Sequence, residues 1–441
     1  MRIVFALLSI VVIAGCSSSD GAAGPPPPSG CSANEQKQFV LDAMNDWYLW
    51  NDRLPANVDI NSYATPSDLL AFLTTFSPDD GSGNPIDRFS FIGSAEADQQ
   101  FFGEGRFEGF GFSSRFVATN DLRLTRVFTD SPANAGGLAR GQRILELNGR
   151  TIADIQAAEG VNAVFDTSPL TFRMRETDGT EFETTIARDI VTIDPIPQFR
   201  IIDNGGTPVG YMELATFIST ADAQFNTAFA TFVNAGVTDV IIDMRYNGGG
   251  LVSTAELLGD YLGGEVATNF VFSDTRFNAD RAAANNSLRR FAEQANSVSL
   301  VRFIVIASGN TASASELVIN GLGPHAEVVI VGDDTFGKPV GQVGFTFCDN
   351  ILRPTAFQTV NADGFGDYFD GLPVNCPAAD DLNVAVGDLA DPNIVTSLSY
   401  LTNGFCPVVS VPGGQFKPTL DEEVEQLDLR GPPWREFAGA Y

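Results

Sequence analysis

The fold prediction rests on residues 303–322, which read FIVIASGNTASASELVINGL. The apolar, largely β-branched run from Phe303 to Ala307 predicts a buried strand, and the small polar residues after it predict a turn. From Ser313 onward the pattern indicates a helix that ends near Leu322. This strand–turn–helix order predicts an α/β domain in which Ser313 lies at a helix N-terminus, where the positive end of the helix dipole stabilises an oxyanion.

A second segment of the same kind precedes this one. Val240 to Met244 has the pattern of a buried strand, and Val252 to Leu262 that of a helix. Between them, residues 245–250 read RYNGGG, a glycine turn whose backbone N–H groups can point at a developing negative charge. A phosphate-binding loop would need Lys followed by Ser or Thr after the glycines, and this segment has neither. A purely structural turn is the other alternative.

Lysine and histidine are scarce, which narrows the choice of a catalytic base. The chain has one histidine, His325, and three lysines: Lys37, Lys338 and Lys417. A serine hydroxyl needs a base, and a buried lysine can serve when its pKa falls from about 10.4 to about 7–8. Lys338 and Gln342 lie four positions apart in an extended segment, so they face one site, and the neutral amide can orient the amine. His325 comes after the predicted helix and is expected to cap it or to lie at the surface.

These residues resemble the C-terminal processing proteases (tail-specific proteases), peptidase family S41. The resemblance covers residues 32–441 and is strongest from Asp243 to Gln342. In this family the catalytic serine usually lies 25 positions before the catalytic lysine. Counted back from Lys338, this separation selects Ser313 rather than Ser315. One departure is Pro339, where relatives often have glycine; proline removes one N–H donor.

The resemblance implies a role for each matched residue and a fold for residues 190–441. It implies a ClpP/crotonase-like α/β catalytic domain that works without a metal or organic cofactor. Ser313 would be the nucleophile, Lys338 the general base and Gln342 its orienting partner. The N–H of Ala314, together with that of either Gly248 or Gly249, would form the oxyanion hole.

The middle of the chain, residues 104–189, is similar to a PDZ domain. The similarity rests on a short loop followed by strand and turn signals, and the loop residues are Gly109, Phe110, Gly111 and Phe112. In such domains this loop offers backbone N–H groups to the C-terminal carboxylate of a peptide, which adds as a strand to the sheet. Gln142 stands where many such domains have Asp. A β-rich spacer that binds nothing is the alternative.

The N-terminus indicates export and a lipid anchor. Residues 1–15 have a positive start and a short apolar run, and Ile13-Ala14-Gly15-Cys16 resembles a bacterial lipobox, so we expect Cys16 to be lipidated. The absence of Asp after Cys16 favours the outer membrane, facing the periplasm. An ordinary signal peptide is the alternative.

Residues 16–31 form a Pro/Ser/Gly-rich tether, and residues 32–103 a helical domain.

The remaining four cysteines are expected to form two disulfides in an exported protein. We favour Cys348–Cys376, which closes the shorter loop, and hence Cys31–Cys406. Free buried thiols are the alternative.

Composition excludes several classes of function. With 26 Lys and Arg against 55 Asp and Glu, the net charge of −29 disfavours nucleic-acid partners. A single histidine excludes a multi-histidine metal site. The acidic pairs Asp333-Asp334 and Asp380-Asp381 are interpreted as solvated surface, without the spacing of a calcium loop.

Together these observations predict a lipid-anchored serine endopeptidase that cleaves envelope proteins near their C-termini. A non-catalytic, PDZ-type peptide-binding scaffold is the main alternative, and a small-ligand binder on the same fold is another.

Overall fold

The computed structural model describes residues 24–407 and Pro432. The predicted signal peptide, the lipidation site Cys16 and Lys417 lie outside the described residues. Among the helices of the described part, none is both long and apolar enough to cross a bilayer.

The N-terminal unit, residues 33–98, is mainly helical. Each of its two longer helices begins with a capping box, Ser32 with Glu35 and Thr65 with Asp68, which stabilises a helix start by about 1 kcal/mol. The first helix ends at Trp47, and Trp50 lies in the turn that follows. The regular elements are α1 (Ala33–Trp47), α2 (Pro66–Thr74), β1 (Phe91–Ser94) and α3 (Ala95–Asp98).

The middle unit, residues 106–192, is built on one antiparallel sheet in the order β3-β4-β5-β7-β8, with β6 paired to β5. Strands β2 and β9 pair where the chain enters and leaves the unit. The strands are β2 (Arg106–Gly109), β3 (Phe112–Ala118), β4 (Asp121–Val127), β5 (Arg143–Leu147), β6 (Arg150–Thr151), β7 (Leu170–Arg175), β8 (Glu181–Ile186) and β9 (Asp189–Thr192). The helices are α4 (Pro132–Ala135), α5 (Ile152–Ala158) and α6 (Val161–Phe165).

The C-terminal part contains the predicted α/β domain. Its central sheet has the order β10-β11-β12-β15-β16-β21, parallel from β11 onward. Helices α7, α8 and α10 pack on one face, and α11 packs on the other. The strands of this sheet are β10 (Gln198–Asn204), β11 (Thr207–Glu213), β12 (Asp239–Asp243), β15 (Arg302–Ala307), β16 (Glu327–Gly332) and β21 (Cys376–Pro377). The helices are α7 (Ala221–Asn234), α8 (Val252–Gly263), α9 (Ala279–Asn285), α10 (Ala314–Leu322) and α11 (Pro392–Asn403).

Two smaller sheets connect the N-terminal unit to this domain. One has the order β14-β13-β20-β17, and the other joins β1 to the hairpin formed by β18 and β19. Phe345, Phe347 and Leu352 of that hairpin are buried against α1 and α2, so the two parts share a core. The strands are β13 (Val271–Phe277), β14 (Ser287–Arg290), β17 (Val340–Gln342), β18 (Phe345–Phe347), β19 (Asn350–Arg353) and β20 (Thr355–Val360).

Two disulfides are present, but the favoured pairing is wrong. The bonds are Cys31–Cys348 and Cys376–Cys406. Cys31 lies just before α1, which packs on β18, and Cys348 lies in the turn after β18. Cys376 is in β21 at the edge of the central sheet, and Cys406 follows α11, which packs on the neighbouring strands. Tertiary packing, rather than loop length, therefore decides the pairing.

Candidate active site

Three loops meet at the carboxyl edge of the parallel strands, where ligands bind in open α/β sheets. They follow β12, β15 and β16 and carry, respectively, the glycine turn, Ser313 and Lys338.

Ser313 has an unusual backbone conformation for a non-glycine residue. Its φ is +56° at the junction between the β15 turn and α10, and its side chain is partly exposed. Such conformations cost roughly 1–3 kcal/mol and persist where the surrounding structure enforces them, as at nucleophilic serines on sharp strand-to-helix turns. This geometry places the partly exposed Ser313 at the N-terminus of α10.

Glu316 joins the serine turn to the lysine segment. Its carboxylate is fully buried and accepts hydrogen bonds from the backbone N–H groups of Ser313 (2.8 Å), Gly337 (2.7 Å) and Lys338 (2.8 Å), and from the Thr335 hydroxyl. Burial raises the pKa of Glu316, although these donors oppose the rise. Sequence reasoning missed this role; the Ser-x-x-Glu pattern of a capping box was the available signal.

Lys338 is half-buried, and its amine has a neutral hydrogen-bond partner. Its Nζ donates to Gln342 Oε1 at 2.9 Å and is 5.6 Å from the centre of the Phe89 ring. Burial lowers the pKa of Lys338 to about 8. Gln342 Nε2 in turn donates to the backbone carbonyls of Phe89 and Arg353, which directs Oε1 toward the amine.

The buried Asn247 fixes the glycine turn against the serine loop. Its carbonyl accepts from the N–H of Ala312 (3.0 Å) and the hydroxyl of Ser315 (3.1 Å), and its Oδ1 accepts from the N–H of Gly249 (2.9 Å). Ser315 is fully buried. Its hydroxyl is therefore used inside the turn, in contrast to the partly exposed Ser313.

The two candidate glycines occupy different positions. The Gly249 N–H is bonded to Asn247, and a Cβ on Gly249 would lie 2.8 Å from Ser313 Cβ and 2.9 Å from Ala314 N. Gly249, with φ +103°, therefore serves close packing. In the part of the chain that the structure describes, the N–H groups of Gly248 and Ala314 have no hydrogen-bond acceptor. These two donors remain available to an oxyanion.

A buried ionic cluster supports the start of the glycine turn. The Arg245 guanidinium, 1% exposed, pairs with Asp243 (2.7 Å), Asp391 (2.6 Å) and Asp380 (3.0 Å). Arg140 of the middle unit also pairs with Asp380 and donates to the Tyr246 hydroxyl. The prediction that Asp380 is solvated surface is wrong. Burial raises the pKa of Asp380, but the guanidinium groups around it hold the pKa below its usual value.

The Gly-Phe-Gly-Phe loop lies between β2 and β3. The side chains of Phe110 and Phe112 are fully buried in the middle unit. The Phe110 carbonyl accepts from Ala133 N–H, and the Gly111 carbonyl accepts from Phe128 N–H, which turns these two carbonyls inward. Strand β3, which begins at Phe112, is an edge strand of its sheet. The two loop carbonyls are therefore hydrogen-bonded within the middle unit, next to the start of this edge strand.

Gln142 and His325 have structural partners. Gln142 Oε1 accepts from Ala139 N–H and its Nε2 donates to the Gly137 carbonyl, so the amide closes the turn in which Asp was expected. The His325 ring packs against Phe270 and Phe291, and its Nε2 is 2.8 Å from the Val271 carbonyl. His325 follows the C-terminal end of α10, the end opposite to Ser313.

No group of three or more His, Cys, Asp or Glu within residues 24–407 is arranged to hold a metal ion.

Two family models match the chain. The model described as "Peptidase family S41" matches residues 208–366, which include Gly248, Ser313 and Lys338. The model described as "Peptidase S41 N-terminal domain" matches residues 35–91.

Curated relatives and a solved structure agree with these matches. The chain is 26% identical over 250 residues to carboxyl-terminal-processing peptidase 3, chloroplastic, of Arabidopsis thaliana, covering 53% of this chain and 46% of the relative. It is 26% identical over 235 residues to the carboxyl-terminal-processing protease of Synechocystis sp., covering 52% of each chain. The chain thus spans about half the length of the curated relatives it matches.

The crystal structure of a putative S41 protease from Bacteroides fragilis has the same fold. It superposes with a TM-score of 0.67 at 23% identity, over 82% of this chain and 97% of that one. Both family models, the curated carboxyl-terminal processing relatives and the shared fold agree in relating this chain to peptidase family S41.

Proposed function

We propose that the protein is a serine endopeptidase in which Ser313 is the nucleophile, Lys338 the general base and Gln342 the residue that orients the base. The observation that carries the proposal is the double role of Glu316, whose one carboxylate holds the backbone of both Ser313 and Lys338. A buried amine with a lowered pKa and a neutral partner supports the role of a base.

The proposed reaction uses these groups in turn. The neutral Lys338 amine takes the proton of Ser313 as its Oγ attacks the scissile carbonyl carbon. The N–H groups of Gly248 and Ala314 donate to the oxyanion of the tetrahedral intermediate. The Lys338 ammonium then protonates the leaving amine, which yields an acyl-enzyme. Lys338 then takes a proton from water as the water oxygen attacks the acyl carbonyl, and it gives that proton to Ser313 Oγ as the carboxylic acid product leaves.

The substrate is proposed to be a protein or peptide with a free C-terminal tail, bound by a PDZ-like middle unit. The Phe110 and Gly111 N–H groups, which have no acceptor in the described part of the chain, would receive the terminal carboxylate. The tail would add to the edge strand β3. Envelope proteins are the proposed physiological substrates.

A peptide with a C-terminal amide should be cleaved less efficiently than the same peptide with a free carboxylate. Losing a charged hydrogen-bond acceptor costs about 1.5–3 kcal/mol, which is roughly a 10–100-fold loss in kcat/KM when tail capture limits cleavage. Mass spectrometry of both digests measures the ratio. Gly111→Ala is the control, because its Cβ would lie 2.2 Å from Ser131 Cβ, and this variant should lose the preference. Equal cleavage of both peptides by the unmodified enzyme would contradict tail capture.

We further propose that Cys16 is lipidated and anchors the protein to the bacterial outer membrane, facing the periplasm. The lipobox-like Ile13-Ala14-Gly15-Cys16 supports the anchor, and the two disulfides are consistent with an oxidising compartment outside the cytosol.

Cys16→Ser is expected to move the protein from the membrane fraction to the soluble fraction. The acyl chains supply the membrane affinity, whereas the net charge of −29 opposes adsorption to anionic lipid. Fractionation after a high-salt wash, with immunodetection of both fractions, measures the change. Retention of Cys16→Ser in the washed membranes would show that the anchor lies elsewhere.

A further inference from the structure

The pocket around Lys338 is not built by the catalytic domain alone. Phe89, which precedes β1 in the N-terminal unit, is 5% exposed, and its ring faces the Lys338 amine at 5.6 Å. The carbonyl of the same residue accepts from Gln342 Nε2. One residue of the N-terminal unit therefore contacts both the proposed base and the residue that orients it.

The segment carrying Phe89 is fixed by a buried carboxylate. Asp87 Oδ1 accepts from the N–H groups of Phe89 (3.1 Å) and Ser90 (3.0 Å), and from the Thr355 hydroxyl (2.9 Å). Ser90 Oγ donates to Asp87 Oδ2 and accepts from Thr355 N–H. Thr355 begins β20, so the segment is fastened to the catalytic domain and holds the ring in place.

Several charged groups act on the Lys338 amine, and their effects on its pKa have opposite signs. Asp87 and Glu316 favour its charged form, whereas Arg353 favours the neutral form. Arg353 is itself paired with Asp98 through two bonds of 2.6 and 2.7 Å. Burial has the largest effect on the pKa of the Lys338 amine. The side chains that exclude water from the amine therefore affect this pKa more than any single charge does.

We propose that Phe89 is a positioning residue of the active site: its ring closes the Lys338 pocket to water, and its carbonyl sets the orientation of the Gln342 amide. The inference rests on the proposed Ser313–Lys338 mechanism. If Phe89 has this role, the N-terminal unit contributes a residue to the catalytic site.

The scarcity of lysine allows a direct test without an activity measurement. Protein labelled with ¹³C at lysine Cε should give three lysine signals, from Lys37, Lys338 and Lys417. The spectrum of Lys338→Ala identifies the Lys338 signal by its absence. Its chemical shift against pH then gives the pKa of the amine in each variant, and kcat/KM against pH is measured on the same samples.

Phe89→Ala is expected to admit water and raise the Lys338 pKa by about one unit, toward the ordinary 10.4. The acid limb of kcat/KM should move by the same amount, giving roughly tenfold lower activity at pH 7. Phe89→Leu, which keeps an apolar wall, should titrate like the unmodified protein. If Phe89→Ala fails to fold, Phe89→Val should show a smaller shift in the same direction.

Leu73→Ala is the matched control for stability, because it opens a cavity at a fully buried position of α2 in the same unit. It should lower Tm and leave the Lys338 titration unchanged. An unshifted Lys338 signal in folded Phe89→Ala, or a shift of equal size in Leu73→Ala, would overturn the inference. Full activity of Lys338→Ala would instead overturn the proposed mechanism, whatever the Phe89 variants do.

Discussion

Ser313→Ala is expected to abolish peptide-bond hydrolysis, lowering kcat/KM by about 10⁴-fold or more. The change removes the attacking oxygen, while Cβ and the backbone bond to Glu316 remain, so the fold should be retained. Cleavage of an unfolded protein substrate, followed by mass spectrometry, measures the loss. Circular dichroism and Tm check that the variant is folded.

Ser315→Ala is the matched control, two residues along the same segment. It removes a buried hydrogen bond to the Asn247 carbonyl, which keeps its bond from Ala312 N–H. The expected cost is about 1 kcal/mol of stability and a small change in activity. A fluorophosphonate probe should label the unmodified protein and Ser315→Ala but not Ser313→Ala. Normal turnover by Ser313→Ala would favour the peptide-binding scaffold over the peptidase.

Replacement of Lys338 should have the second-largest effect. Lys338→Arg keeps a cation that cannot deprotonate, and Lys338→Ala removes the base, so both should lose about 10²–10⁴-fold in kcat/KM. In the proposed mechanism the neutral amine is the active form. In the unmodified enzyme, activity should therefore rise with pH through the Lys338 pKa of about 8 and level off above it. Any residual activity of Lys338→Arg should not show this rise with pH. A Lys338→Arg enzyme with near-normal turnover would exclude lysine as the base.

The same lowered pKa predicts how stability depends on pH. Because the folded-state pKa lies below the unfolded value of about 10.4, the unfolded chain binds the proton more tightly. The amine therefore destabilises the fold below about pH 8, and this penalty disappears as pH rises toward 10.4. Lys338→Met should accordingly be inactive but have a higher Tm than the unmodified protein at pH 7. The difference in Tm should decrease as the pH rises from about 8 to about 10.4.

Local patterns predicted the elements that carry the site. The run Phe303–Ala307 and the small residues after it predicted a strand, a turn and a helix, and the structure has β15 and α10 at those positions. Four-residue spacing predicted that Lys338 and Gln342 face one site, and in the structure the two side chains are hydrogen-bonded. Such features depend on neighbours in sequence, which a single sequence displays.

Contacts between distant segments were not predictable in the same way. Nothing in the pattern around Phe89 indicates that it meets Lys338, because the meeting depends on the packing of two units. The disulfide pairing failed for the same reason: Cys31 and Cys348 are 317 residues apart and adjacent only in the folded chain. Asp380 looked like surface because its three arginine partners come from other segments.

The Cys31–Cys348 bond closes most of the described chain into a covalent ring that contains the glycine turn, Ser313 and Lys338. A single backbone cut anywhere inside the ring, including one made by another copy of the enzyme, opens it without releasing a fragment. The two pieces would migrate together on a gel until they are reduced. Only outside the two disulfide loops, as in residues 349–375, does one cut divide the chain into separate molecules. For the proposed peptidase, this connectivity would keep a molecule with one cut inside a disulfide loop in one piece.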